Sequence, residues 1–212
     1  MLDGLRTALL DPATAAAASH PSGSSRHGVK VTHMDELDQV AARHFRDTQA
    51  AAISVSGRSL PLLYKLVSSL VAPPHRQALL VVDLDGRFDA TRLTCGVDDL
   101  RHVYVQRPAH SSPEHLRVLV ADADSFMLYD AAAQASRPRQ WWGTIVLGGL
   151  GAGDIMAGWR GWLRVDRDQV QAFALGMSAD EALAQRNARQ EAVDAAGWAA
   201  ASPWGGFVFH EG

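Results

Sequence analysis

The sequence predicts an α/β domain with a mainly parallel central sheet flanked by helices. Strand-like and helix-like segments alternate along the chain, which is the pattern of strand–helix–strand units. Two of the strand-like segments, residues 78–85 (ALLVVDLD) and 143–149 (GTIVLGG), are almost continuously apolar. Strands of that kind are typically covered by helices on both faces, as parallel sheets are. We therefore predict one parallel sheet between two helical layers.

Composition limits the class of protein. The chain has 212 residues, a hydrophobic fraction of 47% and a net charge of −3, which fits one domain with its own core and no overall basic field to attract nucleic acid. The single Cys95 excludes a disulfide framework within the chain. No run approaches the roughly 20 apolar residues that span a bilayer. We expect a soluble, intracellular protein without metal or cofactor.

The first residues differ from the rest in composition. After a short apolar start the chain reads PATAAAASHPSGSSRHG, which is small and polar and therefore typical of a flexible tether. We predict a flexible arm over residues 1–30 and a single domain over residues 31–212. Thr32 is the expected N-cap of the first helix of that domain.

The remaining elements follow from periodicity and capping signals. Ser59 and Pro61 are typical of a helix start, as are Ser178 and Glu181 further along the chain. The predicted elements are, in order, a helix from Thr32 with Met34, Leu37, Ala41 and Phe45 on its apolar face, a strand over 51–56, a helix over 59–71, the strand over 78–85, a short helix over 88–93, a strand over 102–106, a helix over 113–130, the strand over 143–149, a strand pair within 159–174, a helix from Ser178 to about Gly197, and a closing strand GGFVFHE.

The turn after the first strand is the natural position for a phosphate cradle. A working loop needs several wrapped glycine-rich residues and a Lys at the helix start. Here the strand continues through Gly57, Arg58 and Ser59 directly into the helix, and Lys65 comes more than a turn later. Gly148 also stands where a phosphate-loop enzyme would carry its magnesium-binding acid. Both requirements for nucleotide hydrolysis are absent, so we predict no catalytic residues of that kind.

Other chemistries use the same residues. Ser59, in Ser-Gly-Arg-Ser-Leu-Pro, resembles the nucleophile of a hydrolase elbow, although Pro61 replaces the final glycine. The stretch Gly149-Leu150-Gly151 invites a dinucleotide interpretation, but its third glycine position is Asp154, which would repel a pyrophosphate. Asp83, Asp85 and Asp89 could hold a hard cation, although their spacing does not match a calcium loop and strand-end solvation is the simpler interpretation.

Tryptophan and arginine are concentrated after the fourth strand. Trp159, Arg160, Trp162 and Arg164 combine stacking surfaces with guanidinium groups, which is typical of single-stranded nucleic-acid sites and equally of protein interfaces. We add Arg137 and Arg139, which precede the strand at 143–149, as candidate contacts for DNA or a partner.

From Ala51 to Gly212 the order of these segments resembles the RecA-type recombinase core, and in particular the eukaryotic recombinase paralogues. Gly57-Arg58-Ser59 falls where that family has its phosphate loop. VVDLDGRFDATRL resembles its second core strand with the acidic end and the following helix. The helix over 113–130 and the strand TIVLGG match the elements that lead to the magnesium-binding acid, and GGFVFHEG resembles the closing strand.

The resemblance implies a single RecA-like domain that has lost ATPase chemistry. It implies a nuclear scaffold or accessory subunit in homologous recombination and the repair of DNA damage. Its expected partners are other RecA-like paralogue subunits in a hetero-oligomer, with single-stranded or branched DNA as a further contact at the loops beyond the central strands. Two alternatives stay open: a RecA-like accessory subunit of another complex, of the Elongator type, and a serine hydrolase that uses Ser59.

Overall fold

Eight strands form one sheet in the order β3-β2-β4-β5-β1-β6-β7-β8. The computed structural model describes residues 28–108, 112–129, 131–149, 151–170 and 172–211. The strands are β1 Ile53–Gly57, β2 Gln77–Asp83, β3 Val103–Gln106, β4 Gln140–Leu147, β5 Ile155–Ala157, β6 Leu163–Arg167, β7 Trp198–Ser202 and β8 Gly205–Phe209. The helices are α1 Asp35–Thr48, α2 Leu60–Val71, α3 Val97–Leu100, α4 Pro113–Tyr129, α5 Ala179–Ala184 and α6 Arg186–Ala195, with 3-10 turns at Ala90–Arg92 and Ala131–Ser136.

The pairing is parallel from β3 through β6 and antiparallel at β7 and β8. The prediction of an α/β fold with a mainly parallel sheet flanked by helices is therefore confirmed. The strand over 78–85 is confirmed as β2, whose seven residues are all buried. Burial on both faces explains why this strand lacks the alternation of a half-exposed one.

Helices on the two faces of the sheet cover different parts of it. One core cluster joins apolar residues of α1 and α2 to β1, β4, β5, β6 and β7. A smaller cluster on the other side joins Leu116 and Ala123 of α4 to Leu80, Val82 and Val146. Along β6, β7 and β8, by contrast, buried residues alternate with more exposed ones. That half of the sheet therefore has one covered face, and its second face is open among the described residues.

Several local predictions were wrong in detail. Thr32 does not cap α1, because the helix begins at Asp35 after Met34; the Thr32 hydroxyl instead donates to the Asp38 carboxylate over 2.7 Å. Ser59 precedes α2 as expected but makes no side-chain capping bond. The capping box of Ser178 and Glu181 is confirmed.

Two strands were missed, and both depend on tertiary pairing. β5 has only three residues, too few for periodicity to show, and it lies between β4 and β1. β7 follows α6 closely and is rich in alanine, a residue that favours helix. The predicted strand pair within 159–174 is a single strand, β6, whose antiparallel partner is the distant β7.

The predicted arm falls largely outside the described residues, which begin at Gly28. The end of that arm contacts the domain, because the Lys30 ammonium group lies 2.9 Å from the Asp154 carboxylate. The next residue, Val31, accepts a hydrogen bond from Trp142 Nε1 over 2.8 Å.

Candidate functional site at the carboxyl edge of the sheet

The turn between β1 and α2 packs against the neighbouring strand β6 and is hydrogen-bonded to it. Gly57 has a φ of +76°, and a Cβ there would overlap the Val165 carbonyl group. The next N–H, that of Arg58, donates to the same Val165 carbonyl oxygen over 2.7 Å. A phosphate cradle needs backbone N–H groups that point into open space. This turn uses its first donor and its glycine to hold β6 against β1.

The start of α2 adds little to an anion site. Pro61 lies in the first turn of the helix and has no N–H to offer. The Lys65 side chain is used elsewhere: its ammonium group donates to the carbonyl oxygen of His210, just after β8, over 3.0 Å. Arg58 is exposed, but the donors that would accompany it in a phosphate loop are missing.

Ser59 is enclosed by the protein. Its residue is only 3% exposed, whereas a hydrolytic nucleophile must reach its substrate. The described hydrogen bonds that pair a serine hydroxyl with a histidine ring involve Ser136 and His102, 2.8 Å apart, and Ser136 is fully buried. The geometry around Ser59 therefore gives no support to the hydrolase alternative.

The space beside Gly148, the position expected for a magnesium-binding acid, is filled by the side chain of Asp85, which follows β2. Gly148 has a φ of +79°, and a Cβ there would overlap the Asp85 carboxylate. Asp85 itself accepts two hydrogen bonds from the Arg87 guanidinium group, at 3.1 and 2.8 Å. A side chain at position 148 is thus excluded by both backbone conformation and space, and the carboxylate that replaces it is already paired with a cation.

Asp83 ends β2 as a buried anchor for the following loop. Its carboxylate, 1% exposed as a residue, accepts from the N–H groups of Arg87 and Phe88 and from Arg107 Nε, all within 3.1 Å. Burial acts to raise the pKa of Asp83. The hydrogen bonds from Phe88, Arg107 and Arg87 outweigh burial, so this pKa lies below its ordinary value and the group stays ionised. Arg107 also donates to the Phe88 carbonyl oxygen over 2.6 Å.

The three aspartates predicted as a possible cation site do not converge. Asp89 caps the 3-10 turn by accepting from the Thr91 N–H over 3.0 Å, while Asp83 and Asp85 are held by arginines. Within the described residues no group of three or more His, Cys, Asp and Glu side chains could hold a metal ion. The Arg107–Asp83 pair could not be found from sequence, because its members lie on different strands.

After β5 the chain crosses β1 in a short segment without helix or strand. We call residues 158–162 the crossover. A Cβ at Gly161 would lie 2.6 Å from the Ser54 carbonyl oxygen, so only glycine lets the crossover approach β1 this closely. The hydroxyl groups of Ser54 and Ser56 donate to the carbonyl oxygens of Arg160 and Gly161, at 3.4 and 3.2 Å. Parallel strands are normally joined by a dozen or more residues, usually with a helix; here five residues suffice.

The crossover presents an aromatic ring and a cation to solvent. Trp159 is 72% exposed, and the Arg160 guanidinium carbon lies 3.9 Å from the centre of its indole ring. This arrangement offers one free indole face and a positive charge in a fixed orientation. Arg164 follows on β6, exposed, with its Nε 2.6 Å from the Asp166 carboxylate.

Trp162 belongs to the core rather than to this surface. Its ring stacks on His44 with 4.1 Å between centroids, and its Nε1 donates to the Ala52 carbonyl oxygen over 3.3 Å. The pKa of His44 is lowered chiefly by burial, which favours the neutral ring in this stack. The periodicity of the sequence did not separate Trp159 from Trp162, because the intervening turn reverses the direction of the side chain.

Arg137 and Arg139 lie at the opposite edge of the sheet, before the start of β4. Arg139 is a structural residue: its guanidinium group donates to the Val71 carbonyl oxygen and pairs with Asp99 over 2.7 Å, and both side chains are largely buried. Arg137 is exposed but separated from the crossover by the length of β4. Of the predicted contact residues, Trp159 and Arg160 touch each other, and Arg164 follows them on β6.

The glycine-rich segment after β4 also differs from a dinucleotide site. It leads into β5 and not into a helix, so no helix N-terminus is available for a pyrophosphate. Asp154 accepts from the Thr144 N–H over 2.9 Å and closes this loop onto β4.

Comparisons with known proteins give no identification. No protein-family model matches the chain, and no curated protein matches it. Among the described residues, no helix has the length and apolar character needed to cross a membrane.

Proposed function

We propose that this chain is a non-catalytic, RecA-like subunit that serves as a scaffold or accessory factor in homologous recombination and DNA repair. The observation that carries the proposal is the state of the two nucleotide positions. The turn after β1 gives its Arg58 N–H to β6, and the space over Gly148 is filled by the Asp85 carboxylate paired with Arg87. In this proposal, a protein whose own groups fill the phosphate-loop turn and the magnesium-acid position keeps the RecA-like fold and does not hydrolyse nucleotides.

The fold supports the proposal without specifying the process. β1 lies inside a mainly parallel sheet, so its carboxyl end is at the usual ligand edge of such sheets. The order of core elements from β1 to β8 is compatible with the resemblance described above. The expected partners are other RecA-like subunits in a nuclear complex, and the expected nucleic acid is single-stranded or branched DNA.

The crossover supplies the contact surface in this proposal. In a chain of net charge −3, binding to DNA needs a local group of cations and aromatic rings. Trp159 is available for stacking on a base and Arg160 for a phosphate, whereas Arg164 would exchange its bond to the Asp166 carboxylate for one to a phosphate. A stacked base contributes about 1–3 kcal/mol in single-strand binding.

The first experiment measures steady-state ATP hydrolysis and ATP-analogue binding on the isolated full chain. We expect neither hydrolysis above background nor measurable calorimetric heat, because the first donor of the turn is already used and Pro61 has no N–H. Hydrolysis that is lost in Ser59→Ala would contradict the proposal.

The second experiment measures single-stranded DNA binding by fluorescence anisotropy over a range of salt concentrations. Arg160→Ala with Arg164→Ala should weaken binding and reduce the salt dependence by about two phosphate contacts. Arg137→Ala is the matched control, because it removes an exposed arginine at the other sheet edge. The wild-type chain could fail to bind DNA while the double variant no longer co-purifies with the native partners. In that case the crossover is a protein interface and the DNA part of the proposal is wrong.

A further inference from the structure

Among the described residues, nothing protects the edge of the sheet formed by its last strand, β8. It pairs with β7 on one side only and is the end of the strand order. Proteins normally guard such edges with charged residues, proline or a covering segment, because the unpaired backbone groups can pair with another chain. β8 reads GGFVF and carries neither charge nor proline, and Val208 is 51% exposed.

The unpaired backbone groups of β8 belong to Gly206 and Val208. In an antiparallel ladder, alternate residues exchange hydrogen bonds with the partner strand and the others direct their N–H and C=O groups away from it. The two-residue turn after β7 closes on the pair Ser202–Gly205, and the register continues with Ala200–Phe207. Gly206 and Val208 therefore face outward, and no described backbone bond outside the sheet uses either residue.

We propose that β8 pairs antiparallel with β8 of a second copy of this chain, about a two-fold axis through Phe207. In this register Gly206 of one copy lies opposite Val208 of the other, and both are the outward-facing residues of their strands. Each of the two pairs exchanges two N–H···O bonds. The exposed Val208 side chain of each copy lies beside Gly206 of the other copy. Because glycine has no side chain, the branched valine fits there without a clash at both symmetry-related pairs. This inference concerns self-association and is independent of the proposed function.

The size pattern of β8 fits a second copy better than an arbitrary strand. The two-fold axis places each exposed Val208 opposite a glycine of the other copy, so this pattern is self-complementary. Beyond the end of β8, the Glu211 carboxylate is paired within its own chain with the Arg92 guanidinium group over 2.7 Å.

The test measures the molar mass of the full chain by sedimentation equilibrium, for wild type and two variants at position 208. Wild type should sediment with the mass of two chains. Val208→Pro should weaken association by about tenfold or more, because it removes an outward N–H; the bonds to β7 should remain, since proline is tolerated on an edge with that N–H facing solvent. Val208→Thr is the control, which keeps the N–H and the branched shape and should remain dimeric. A monomeric wild type, or a dimer unaffected by Val208→Pro, overturns the proposal.

Cysteine cross-linking tests the register and does not depend on the proline variant. In a Cys95→Ser background, Phe207→Cys should form a disulfide-linked dimer under mild oxidation. The two 207 positions face each other as a non-hydrogen-bonded pair with Cα atoms about 4.5 Å apart, a separation that a disulfide spans. Val208→Cys in the same background should cross-link far less, because its mate is Gly206. Equal or stronger cross-linking at position 208 overturns the assigned register.

Discussion

Two parts of the molecule next to β1 have opposite characters. In the turn after β1 and the loop after β2, several polar groups are bound by the protein itself: Arg58 N–H by Val165, Asp83 by Arg107, and Asp85 by Arg87. In the crossover, the backbone and the Trp162 ring are held by the protein, and the side chains of Trp159 and Arg160 are directed to solvent. Polar groups satisfied internally stabilise the fold, whereas exposed and pre-oriented groups are available for binding. The first part therefore stabilises the fold, and the second is the part that the proposed function uses for recognition.

The largest expected effect tests the close approach of β1 and β6. Gly57→Ala should destabilise the fold by about 3 kcal/mol or more, because the added Cβ is strained at this φ and overlaps the Val165 carbonyl group. Gly86→Ala is the matched control: it has a similar φ of +67° and nothing within 4 Å of the added Cβ. It should cost about 1 kcal/mol, from strain alone. Urea denaturation measures both, and equal losses would show that the Val165 contact is not tight.

The next effect concerns Asp83 and the pH dependence of stability. Asp83→Asn should lower the free energy of unfolding at neutral pH by about 1.5–3 kcal/mol, because two N–H donors and Arg107 lose a charged acceptor. The folded-state pKa of Asp83 lies below its unfolded value near 3.9. Its contribution is therefore complete above that unfolded value and is lost as the pH falls through the folded pKa.

Urea denaturation from pH 7 down to pH 2 measures this contribution. The variant should lose less stability than wild type in the acid range, since one source of acid sensitivity is gone. Asp98→Asn, at a side chain that is 92% exposed, is the control and should follow the wild-type curve. Parallel curves for Asp83→Asn and wild type would contradict an anchoring role for the carboxylate.

A smaller effect tests how the crossover is held. Ser56→Ala should lower the free energy of unfolding by about 1 kcal/mol, because the hydroxyl group donates to the Gly161 carbonyl oxygen. The same variant should change DNA or partner binding only slightly, provided the glycine contact keeps the crossover in place. Chemical denaturation and anisotropy on one preparation give both values. A large loss of binding with little loss of stability would move the hydroxyl group from the fold to the recognition surface.

The smallest expected change in stability is that of Trp159→Ala. Its side chain is mostly in solvent, so the free energy of unfolding should stay within about 0.5 kcal/mol of wild type. Trp162→Ala should instead cost up to about 3–5 kcal/mol, the range for buried tryptophans, because its half-buried ring packs against the core and stacks on His44. Thermal melts of the two variants separate a surface ring from a core ring. Similar melting temperatures would mean that both tryptophans belong to one environment.

The fold class could be predicted from sequence, and the lack of a phosphate-loop motif could be recognised there, because both depend on local features. A buried parallel strand such as β2 is recognised by continuous apolar residues, and a phosphate loop by residues adjacent in the chain. The absence of Lys and of the wrapped loop around Gly57 is therefore visible in the letters themselves. The capping box of Ser178 and Glu181 was found for the same reason, since its members are three residues apart.

Tertiary structure decided the features that join distant parts of the chain. From sequence we predict that Gly148 replaces a magnesium-binding acid, but only the fold shows that the Asp85 carboxylate fills the space beside Gly148. The sequence does not distinguish Trp159 from Trp162. In the folded crossover the Trp159 ring is exposed to solvent, whereas the Trp162 ring stacks on His44. β5 exists because two flanking strands supply its hydrogen bonds, which three residues could not do alone. Local propensity is carried by neighbouring residues, whereas burial, pairing and the direction of a side chain are set by contacts that form only when the sheet assembles.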